Sequence, residues 1–313
     1  MQATIFKYLD EKGAKETVKN NSVILKTPLE YNDPFDCYFY ITKLEEKEAF
    51  KLFMNFQLYK GLYDYLVKQN KKASRMKHLA ELYRKNVLIT AKEIKKTKLF
   101  SNQAYLIPYR AAAYRYLDKK KTTLLSEFHE MLEDVFNKAR ASVIISCFGS
   151  SNDSVLMWSH YANKHKGACI EFEIDDKDFQ KVDYSKKIAK HELCKTLEVI
   201  FGHEFLNKDV DGDDSKYSFM IKPLLTKSID WQYEGETRCV YSAKKRDPKI
   251  YDYTDKDGKT STLLTMPKIK KIYLGCKADD DFIKDIKNMS KDIPVIRMKM
   301  KENEYGVEPG LIC

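Results

Sequence analysis

The stretch WQYEGETRCVY, residues 231–241, decides the fold class because charged and aromatic side chains alternate along it. Its aromatic and β-branched residues favour an extended chain, so the alternation predicts a β-strand. The pleat of that strand puts Glu234, Glu236 and Arg238 on one face and turns the aromatic residues toward a core. The two carboxylates are then about 7 Å apart, and they either coat a solvated surface or line a site.

Two interpretations of these charges follow. On a solvated face, Arg238 pairs with its neighbours and contributes only about 0–1 kcal/mol to stability. In a cleft, mutual repulsion raises the proton affinity of one glutamate while Arg238 keeps the other ionised. The residues alone do not decide between these two interpretations.

Strand signals dominate the chain before this stretch, apart from one long block. IFKYL and SVILKTPL predict strands near the start, and YNDPFD predicts the turn that stops the second of them. ASVIISCFG and ACIEFEI predict two more strands, the latter with Ala168, Ile170, Phe172 and Ile174 on one face. The helix between these strands is predicted to begin at a cap on Asn152 or Asp153 and to end at Gly167.

The rest of the chain completes a mixed pattern. A second helical stretch runs from about Lys187 to Leu206, and a hairpin is predicted to turn at Asp257-Gly258. The strand IKKIYLG, a helix from Asp280 and the strand PVIRMKM follow. This order predicts an α+β fold with a mixed, mainly antiparallel sheet, in one domain over residues 1–313. Periodic apolar residues predict a large helical insertion at about 44–140.

Positive charge is concentrated in that insertion. The net charge is +10, and residues 60–121 hold 17 Lys or Arg against 4 Asp or Glu. Basic side chains interleaved with tyrosines are what phosphate contacts and base stacking use, so this segment predicts contact with DNA or RNA. A solvated lysine-rich helix surface is the other interpretation. The basic residues that would make the contact are Lys71, Lys72, Arg75, Lys77, Lys95 and Lys96.

Several classes of function are disfavoured by absent motifs. The chain has 11 glycines but neither GxGxxG nor GxxxxGK[ST], which argues against Rossmann and P-loop chemistry. Seven cysteines occur without a CxxC pair, so no zinc site or disulfide framework is predicted. His160 and His165, five apart on a predicted helix, point to different faces and do not form a metal pair. We expect a soluble cytoplasmic protein with no metal and no membrane contact.

Four stretches together resemble a known bacterial family. They are FKYLD, LEYNDPFD, ISCFGSSNDSVLMWSHYANKHKGACIEFE, and WQYEGETR followed by KIKKIYLG. The family is catalogued as domain of unknown function 2971, and the resemblance covers both ends of the chain but not the helical block. The family name carries no activity.

A second resemblance does carry chemistry. Glu234 and Glu236 lie downstream of a strand bearing Ser146 and of an early strand bearing a basic residue, which is similar to the three-part layout of ADP-ribosyltransferases. That superfamily implies NAD as the substrate and an ADP-ribosyltransferase-like sheet core. In it, a basic residue or histidine holds the NAD ribose, a serine or tyrosine motif shapes the nicotinamide pocket, and a late glutamate binds the ribose 2′-hydroxyl.

Carried onto this sequence, the resemblance implies one role for each matching residue. Glu236 is the catalytic carboxylate and Glu234 faces the acceptor. The implied NAD-binding residues are Lys7, Tyr8, Ser146, Trp158, His160, Tyr161 and Arg238. A fixed carboxylate would stabilise the positive charge that develops on the ribose as the nicotinamide bond breaks.

Two functions from different classes follow. The first is an NAD-consuming ADP-ribosyltransferase or NAD glycohydrolase of toxin or phage-defence type, which acts on a nucleic acid or protein target. The alternative is a non-enzymatic nucleic-acid-binding or sensor module that uses the basic insertion. A third function, hydrolysis by the two glutamates, requires a divalent metal for which the sequence shows no convincing ligands.

Overall fold

The computed structural model describes residues 2–38, 121–188, 221–244, 247–290 and 292–312, with scattered positions between 46 and 60 and Leu197. The chain divides into two compact units. One unit combines Met1–Tyr38, Arg140–Ile188 and Leu224–Cys313, and the other combines Phe39–Ala139 and Ala189–Pro223. The predicted insertion at 44–140 lies almost entirely in the second unit, and most of it is outside the described residues, as is most of the helix predicted over 187–206.

The described helices and strands are given in chain order. They are β1 (Gln2–Leu9), α1 (Glu11–Asn20), β2 (Ser22–Leu25), α2 (Lys121–Ala141), β3 (Val143–Phe148), α3 (Val155–Tyr161), β4 (Ala168–Asp175), β5 (Gln180–Lys181), β6 (Asp183–Ser185), α4 (Ile221–Leu224), β7 (Thr226–Ser228), β8 (Thr237–Ser242), β9 (Ile250–Thr254), β10 (Thr260–Thr265), β11 (Ile269–Leu274), α5 (Asp280–Met289), β12 (Val295–Met300) and β13 (Val307–Ile312). Short 3-10 helices cover Pro28–Glu30, Asp176–Asp178 and Ile229–Glu234.

The largest sheet has the strand order β1-β4-β11-β12-β13. Its neighbours pair antiparallel except β11 and β12, which are parallel and joined through α5. Two three-stranded sheets, β2-β10-β9 and β3-β8-β5, and the parallel pair β6-β7 complete the described sheets. The predicted α+β class with a mainly antiparallel sheet is therefore confirmed, as are the hairpin between β9 and β10 and the strand-helix-strand order of β11, α5 and β12.

Strand β4 explains why the main core forms where it does. Ala168, Ile170, Phe172 and Ile174 are all buried in the large hydrophobic cluster, as their alternation predicts. On the opposite face, Cys169 is also buried, because a second cluster forms there under α3. Only the first part of the strand is covered on both faces, since Glu171 and Glu173 farther along the second face are partly exposed.

The ends of α3 differ from the prediction. The cap is Ser154, whose hydroxyl accepts from the Met157 amide at 3.3 Å, and not Asn152 or Asp153. The helix ends at Tyr161, several residues before Gly167, because residues 163–165 adopt left-handed backbone angles with φ of 44°, 57° and 70°. Three successive left-handed residues cannot continue a right-handed helix.

Glycine is required where this turn packs against its neighbours. A Cβ on Gly275 would lie 1.9 Å from the carbonyl oxygen of His165, and that oxygen accepts the Lys277 amide at 3.0 Å. Because the atoms of His165 that this Cβ would meet belong to the backbone and cannot move aside easily, we expect Gly275→Ala to lower the free energy of unfolding by about 1–3 kcal/mol or more. Gly306→Ala is the matched control, since its Cβ would meet only the flexible end of Lys301. Equal urea midpoints for the two variants would contradict this prediction.

The prediction that residues 231–241 form one strand is wrong for its first half. Residues 229–234 form a 3-10 helix, Gly235 adopts φ of +52°, and β8 begins only at Thr237. Ser228 caps the 3-10 helix by accepting from the Asp230 amide at 3.4 Å. A Cβ on Gly235 would lie 2.1 Å from the Ser150 hydroxyl, so only glycine fits this turn.

In the second unit, three described phenylalanine rings pack together. The ring centroids of Phe50 and Phe128 are 5.3 Å apart, and those of Phe53 and Phe128 are 5.5 Å apart.

Within the described part of the chain, no helix combines the length and apolarity needed to cross a bilayer.

Candidate functional site

A buried network of charged side chains lies in the first unit. Its members are Asp36, Lys227, Glu234, Glu236 and Arg238, and each is 7% exposed or less. Three carboxylates meet two cations, so the fully ionised network has a charge of −1. The solvated-face interpretation of Glu234, Glu236 and Arg238 is therefore wrong, because charged groups this buried require partners.

Arg238 joins the turn near residue 36 to strand β8. Its guanidinium donates to both carboxylate oxygens of Asp36, at 2.8 and 2.9 Å. It also donates to both oxygens of Glu236, at 2.7 and 3.1 Å, and to the backbone carbonyl of Leu224 at 2.7 Å. These bonds satisfy most of the donors of a side chain that is completely buried.

Lys227, on β7, connects Glu234 to the rest of the network. Its ammonium nitrogen is 2.6 Å from Glu234 Oε2, 3.0 Å from Glu236 Oε2 and 3.5 Å from Asp36 Oδ2. It also lies 5.0 Å from the ring centroid of Trp231, close enough for a cation–π contact. Burial alone would lower the pKa of Lys227, but the three carboxylates outweigh burial and raise that pKa above its usual value.

The two glutamates are held in opposite states. Burial would raise the pKa of Glu236, but the charges of Arg238 and Lys227 prevail and lower that pKa to about 2. Burial raises the pKa of Glu234, and the ammonium of Lys227 offsets this only in part. Glu236 is thus a fixed anion, whereas Glu234 is the carboxyl group of the network that more readily takes up a proton.

Aromatic rings surround Glu234. Tyr161, at the end of α3, donates its hydroxyl to Glu234 Oε1 at 2.7 Å. Tyr233 lies 6.0 Å from Trp231 and 6.4 Å from His160, measured between ring centroids. His160 is exposed and the other three rings are partly exposed. We call these four rings the aromatic cluster; it extends from the buried carboxyl of Glu234 to the surface.

Lys7 and Ser146 also come together, beside Glu236. The Lys7 ammonium donates to the Ser146 hydroxyl at 3.0 Å and to the Cys147 carbonyl at 2.7 Å. Burial lowers the pKa of Lys7, against the attraction of nearby acidic groups that include Glu236. The hydroxyl of Tyr31 contacts the Cys147 thiol at 3.4 Å. Burial raises the pKa of that thiol to about 12, so Cys147 is not an activated nucleophile.

Tyr8 and Trp158 occupy the hydrophobic cluster under the aromatic cluster. Lys7 and Tyr8 are adjacent on β1 and therefore point to opposite faces of it. Tyr8 meets Trp158 edge to face, with ring centroids 5.3 Å apart, and donates its hydroxyl to the Ser151 carbonyl at 2.9 Å. Trp158 is completely buried and donates its indole N–H to the Asn152 carbonyl at 2.7 Å. Both side chains thus support Tyr161 and Tyr233, which pack against the same cluster.

Three members of the site, Asp36, Lys227 and Tyr184, were not predicted from the sequence. Asp36 lies in the YNDPFD turn, which was predicted only as a chain reversal, and Lys227 lies in a three-residue strand with no recognisable motif. Tyr184, on β6, pairs in register with Lys227 and accepts the Glu236 amide at 2.7 Å. Lys227 is flanked by Thr226 and Ser228, so no local pattern distinguishes it from the other lysines of the chain.

The arrangement fits proton transfer and cation stabilisation. A carboxyl with raised proton affinity lies next to a phenol and an ammonium, under rings that suit a planar ligand. Among the described residues, no group of three or more His, Cys, Asp or Glu side chains is placed to hold a metal ion.

Comparison with known proteins gives one match. Residues 157–239 match the model of a family described as protein of unknown function (DUF2971). The comparisons with curated proteins and with solved structures found no match. The segment that matches this family model carries Tyr161, Lys227, Glu234 and Arg238, and the match agrees with the resemblance seen in the sequence.

Proposed function

We propose that this protein consumes NAD, as an ADP-ribosyltransferase or an NAD glycohydrolase with an ADP-ribosyltransferase-like core. In the reaction, the bond from ribose C1′ to the nicotinamide nitrogen breaks, and its electron pair leaves with nicotinamide. Water, or a hydroxyl of a nucleic acid or protein target, bonds to C1′ and loses a proton. A toxin or phage-defence effector would use the same chemistry.

The observation that carries the proposal is the environment of Glu234. Its carboxyl is 4% exposed, accepts from Tyr161 at 2.7 Å and pairs with Lys227 at 2.6 Å. In its ionised form it would stabilise the positive charge that develops on the ribose, and it would accept the proton that the nucleophile releases. The aromatic cluster supplies ring faces on which the departing base stacks.

The resemblance implied that Glu236 is the catalytic carboxylate and that Glu234 faces the acceptor; in this proposal Glu234 takes the catalytic role. Both oxygens of Glu236 are engaged by Arg238 and Lys227, and its low pKa makes it a poor proton acceptor. We therefore assign proton transfer and ribose stabilisation to Glu234. Glu236 instead fixes the charges around Glu234, and Lys7 and Ser146 support the network from β1 and β3.

The test is release of nicotinamide from NAD by the purified chain. We expect turnover that increases with pH, because the reaction requires ionised Glu234 and burial raises the pKa of that group. The assay is run with and without added DNA and RNA. NAD that stays intact under all of these conditions would overturn the proposal.

Nucleic-acid binding is a second candidate function because of the positive charge of residues 60–121, which include 17 basic residues and 4 acidic ones. The residues proposed to make the contact lie outside the described part of the chain. They are Lys71, Lys72, Arg75, Lys77, Lys95 and Lys96. Binding to DNA or RNA that weakens steeply with salt, in a protein that leaves NAD intact, would favour this function over the enzyme.

A further inference from the structure

We propose that Lys227 is a positioning residue of the NAD site: its ammonium ties Glu234 to Glu236 and Asp36 and so fixes the reactive carboxyl beneath the aromatic cluster. This inference rests on the proposed function and adds to it a residue that no motif in the sequence marks. Lys227 acts through Glu234, because at 7% exposure its side chain is enclosed by the network.

Lys227 connects Glu234 to the carboxylates that Arg238 holds. Glu236 and Asp36 are both anchored by Arg238, with distances of 2.7–3.1 Å. Glu234 makes no described bond to Arg238, and it contacts that anchored layer through Lys227, at 2.6 Å. Without the ammonium, the Tyr161 hydroxyl would remain as the described side-chain donor that orients Glu234.

Lys227 is itself held in position by its strand and by its contacts. It lies on β7, whose register with β6 sets it opposite Tyr184, and the Tyr184 hydroxyl accepts the Glu236 amide. The ammonium also lies 5.0 Å from the ring centroid of Trp231. The carboxylates of the anchored layer and the Trp231 ring thus both contact the ammonium and hold it in place.

Lys227 also sets the net charge of the network. With Lys227 ionised the network carries −1, and without it the charge is −2, concentrated on three neighbouring carboxylates. Removing the ammonium therefore favours protonation of Glu234, the carboxyl whose pKa is already raised by burial. Several groups face Glu234 from the elements around it. They are Tyr161 on α3, Tyr184 on β6, Lys227 on β7, and Tyr233 and Glu236, with His160 at the exposed end of the aromatic cluster. Asp36 is linked to Glu234 through Lys227.

The experiment compares wild type, Lys227→Met and Lys227→Arg. For Lys227→Met we expect kcat to fall by about 100-fold, because a displaced carboxyl loses its alignment, while KM changes much less. The rising limb of the pH profile shifts to higher pH by about one unit or more. Lys227→Arg, which keeps the charge, is expected to restore part of kcat and the original pH profile. A uniform loss of activity with an unchanged pH profile would overturn the inference.

A second measurement does not depend on turnover. In protein with isotopically labelled glutamate, the NMR titration of the Glu234 carboxyl should move to higher pH in Lys227→Met. If that variant does not fold, Lys227→Met/Glu236→Gln keeps the network at −1 and is compared with Glu236→Gln. The expected direction is the same, because these two proteins differ only in the Lys227 ammonium, whose charge lowers the pKa of Glu234. An unchanged titration rejects the role of Lys227 even if NAD is consumed. A shifted titration in a protein that leaves NAD intact supports the coupling of Lys227 to Glu234 and overturns the assignment of the site to NAD.

Discussion

Truncating Arg238 to alanine is expected to lower the free energy of unfolding by about 3–5 kcal/mol. The reason is that Asp36 and Glu236, 4% exposed each, would be left as neighbouring buried anions that share the ammonium of Lys227 as their described ion-pair partner. The backbone carbonyl of Leu224 would also lose its donor. Urea denaturation followed by circular dichroism measures the loss.

An exposed ion pair supplies the matched control for this variant. Lys249 lies 2.9 Å from Asp178, and both side chains are about half exposed. Lys249→Ala should therefore cost less than about 1 kcal/mol. If Arg238→Ala is no less stable than Lys249→Ala, the network does not hold the fold together.

The direction of the acid response follows from the same network. The pKa of Glu236 is lowered to about 2. Its ionised form therefore contributes stability that is fully present above the pKa of an unfolded glutamate, about 4.3, and is lost as the pH falls to about 2. Arg238→Ala, which removes the main cause of that lowered pKa, should weaken this loss on acidification.

The second large effect concerns catalysis. Glu234→Gln is expected to reduce nicotinamide release by about 100-fold or more, because an amide neither accepts the proton nor stabilises the charge on the ribose. The variant should fold, since glutamine has the same shape and Lys227 keeps Glu236 and Asp36 as partners. A normal thermal transition together with lost turnover is the expected result.

The control for this prediction is the same substitution at a surface glutamate. Glu304 is 72% exposed and pairs only with Lys301, three residues earlier, among the contacts described. Glu304→Gln should keep full activity. If Glu234→Gln and Glu304→Gln turn over NAD at the same rate, Glu234 has no part in the reaction.

Local patterns were sufficient to predict most of the described strands. The alternation in ACIEFEI placed Ile170 and Phe172 in the core, and Asp257-Gly258 marked the hairpin because a tight turn needs a residue that tolerates positive φ; Gly258 has φ of 79°. Each of these signals acts within a few residues. These predictions therefore depend little on contacts with distant parts of the chain.

Local patterns failed where a partner is distant or where a turn interrupts a run. Arg238 pairs with Asp36 from 202 residues away, and no spacing rule reports such a pair. Trp231 and Tyr233 favour a strand, yet the cap at Ser228 and the left-handed Gly235 select a 3-10 helix instead. Glu234 and Glu236 were predicted to share a pleated face. They instead lie on either side of that turn, and both form ion pairs with Lys227.

Trp231 offers the most direct test of the central claim, that an NAD-derived ring binds over Glu234. The chain has two tryptophans, and the other, Trp158, is completely buried. Titrating NAD into the Glu234→Gln protein should therefore quench tryptophan fluorescence saturably, because the pyridinium ring stacks on the aromatic cluster. The quench should disappear in Glu234→Gln/Trp231→Phe. No saturable quench up to millimolar NAD, or an equal quench in both proteins, would contradict the account.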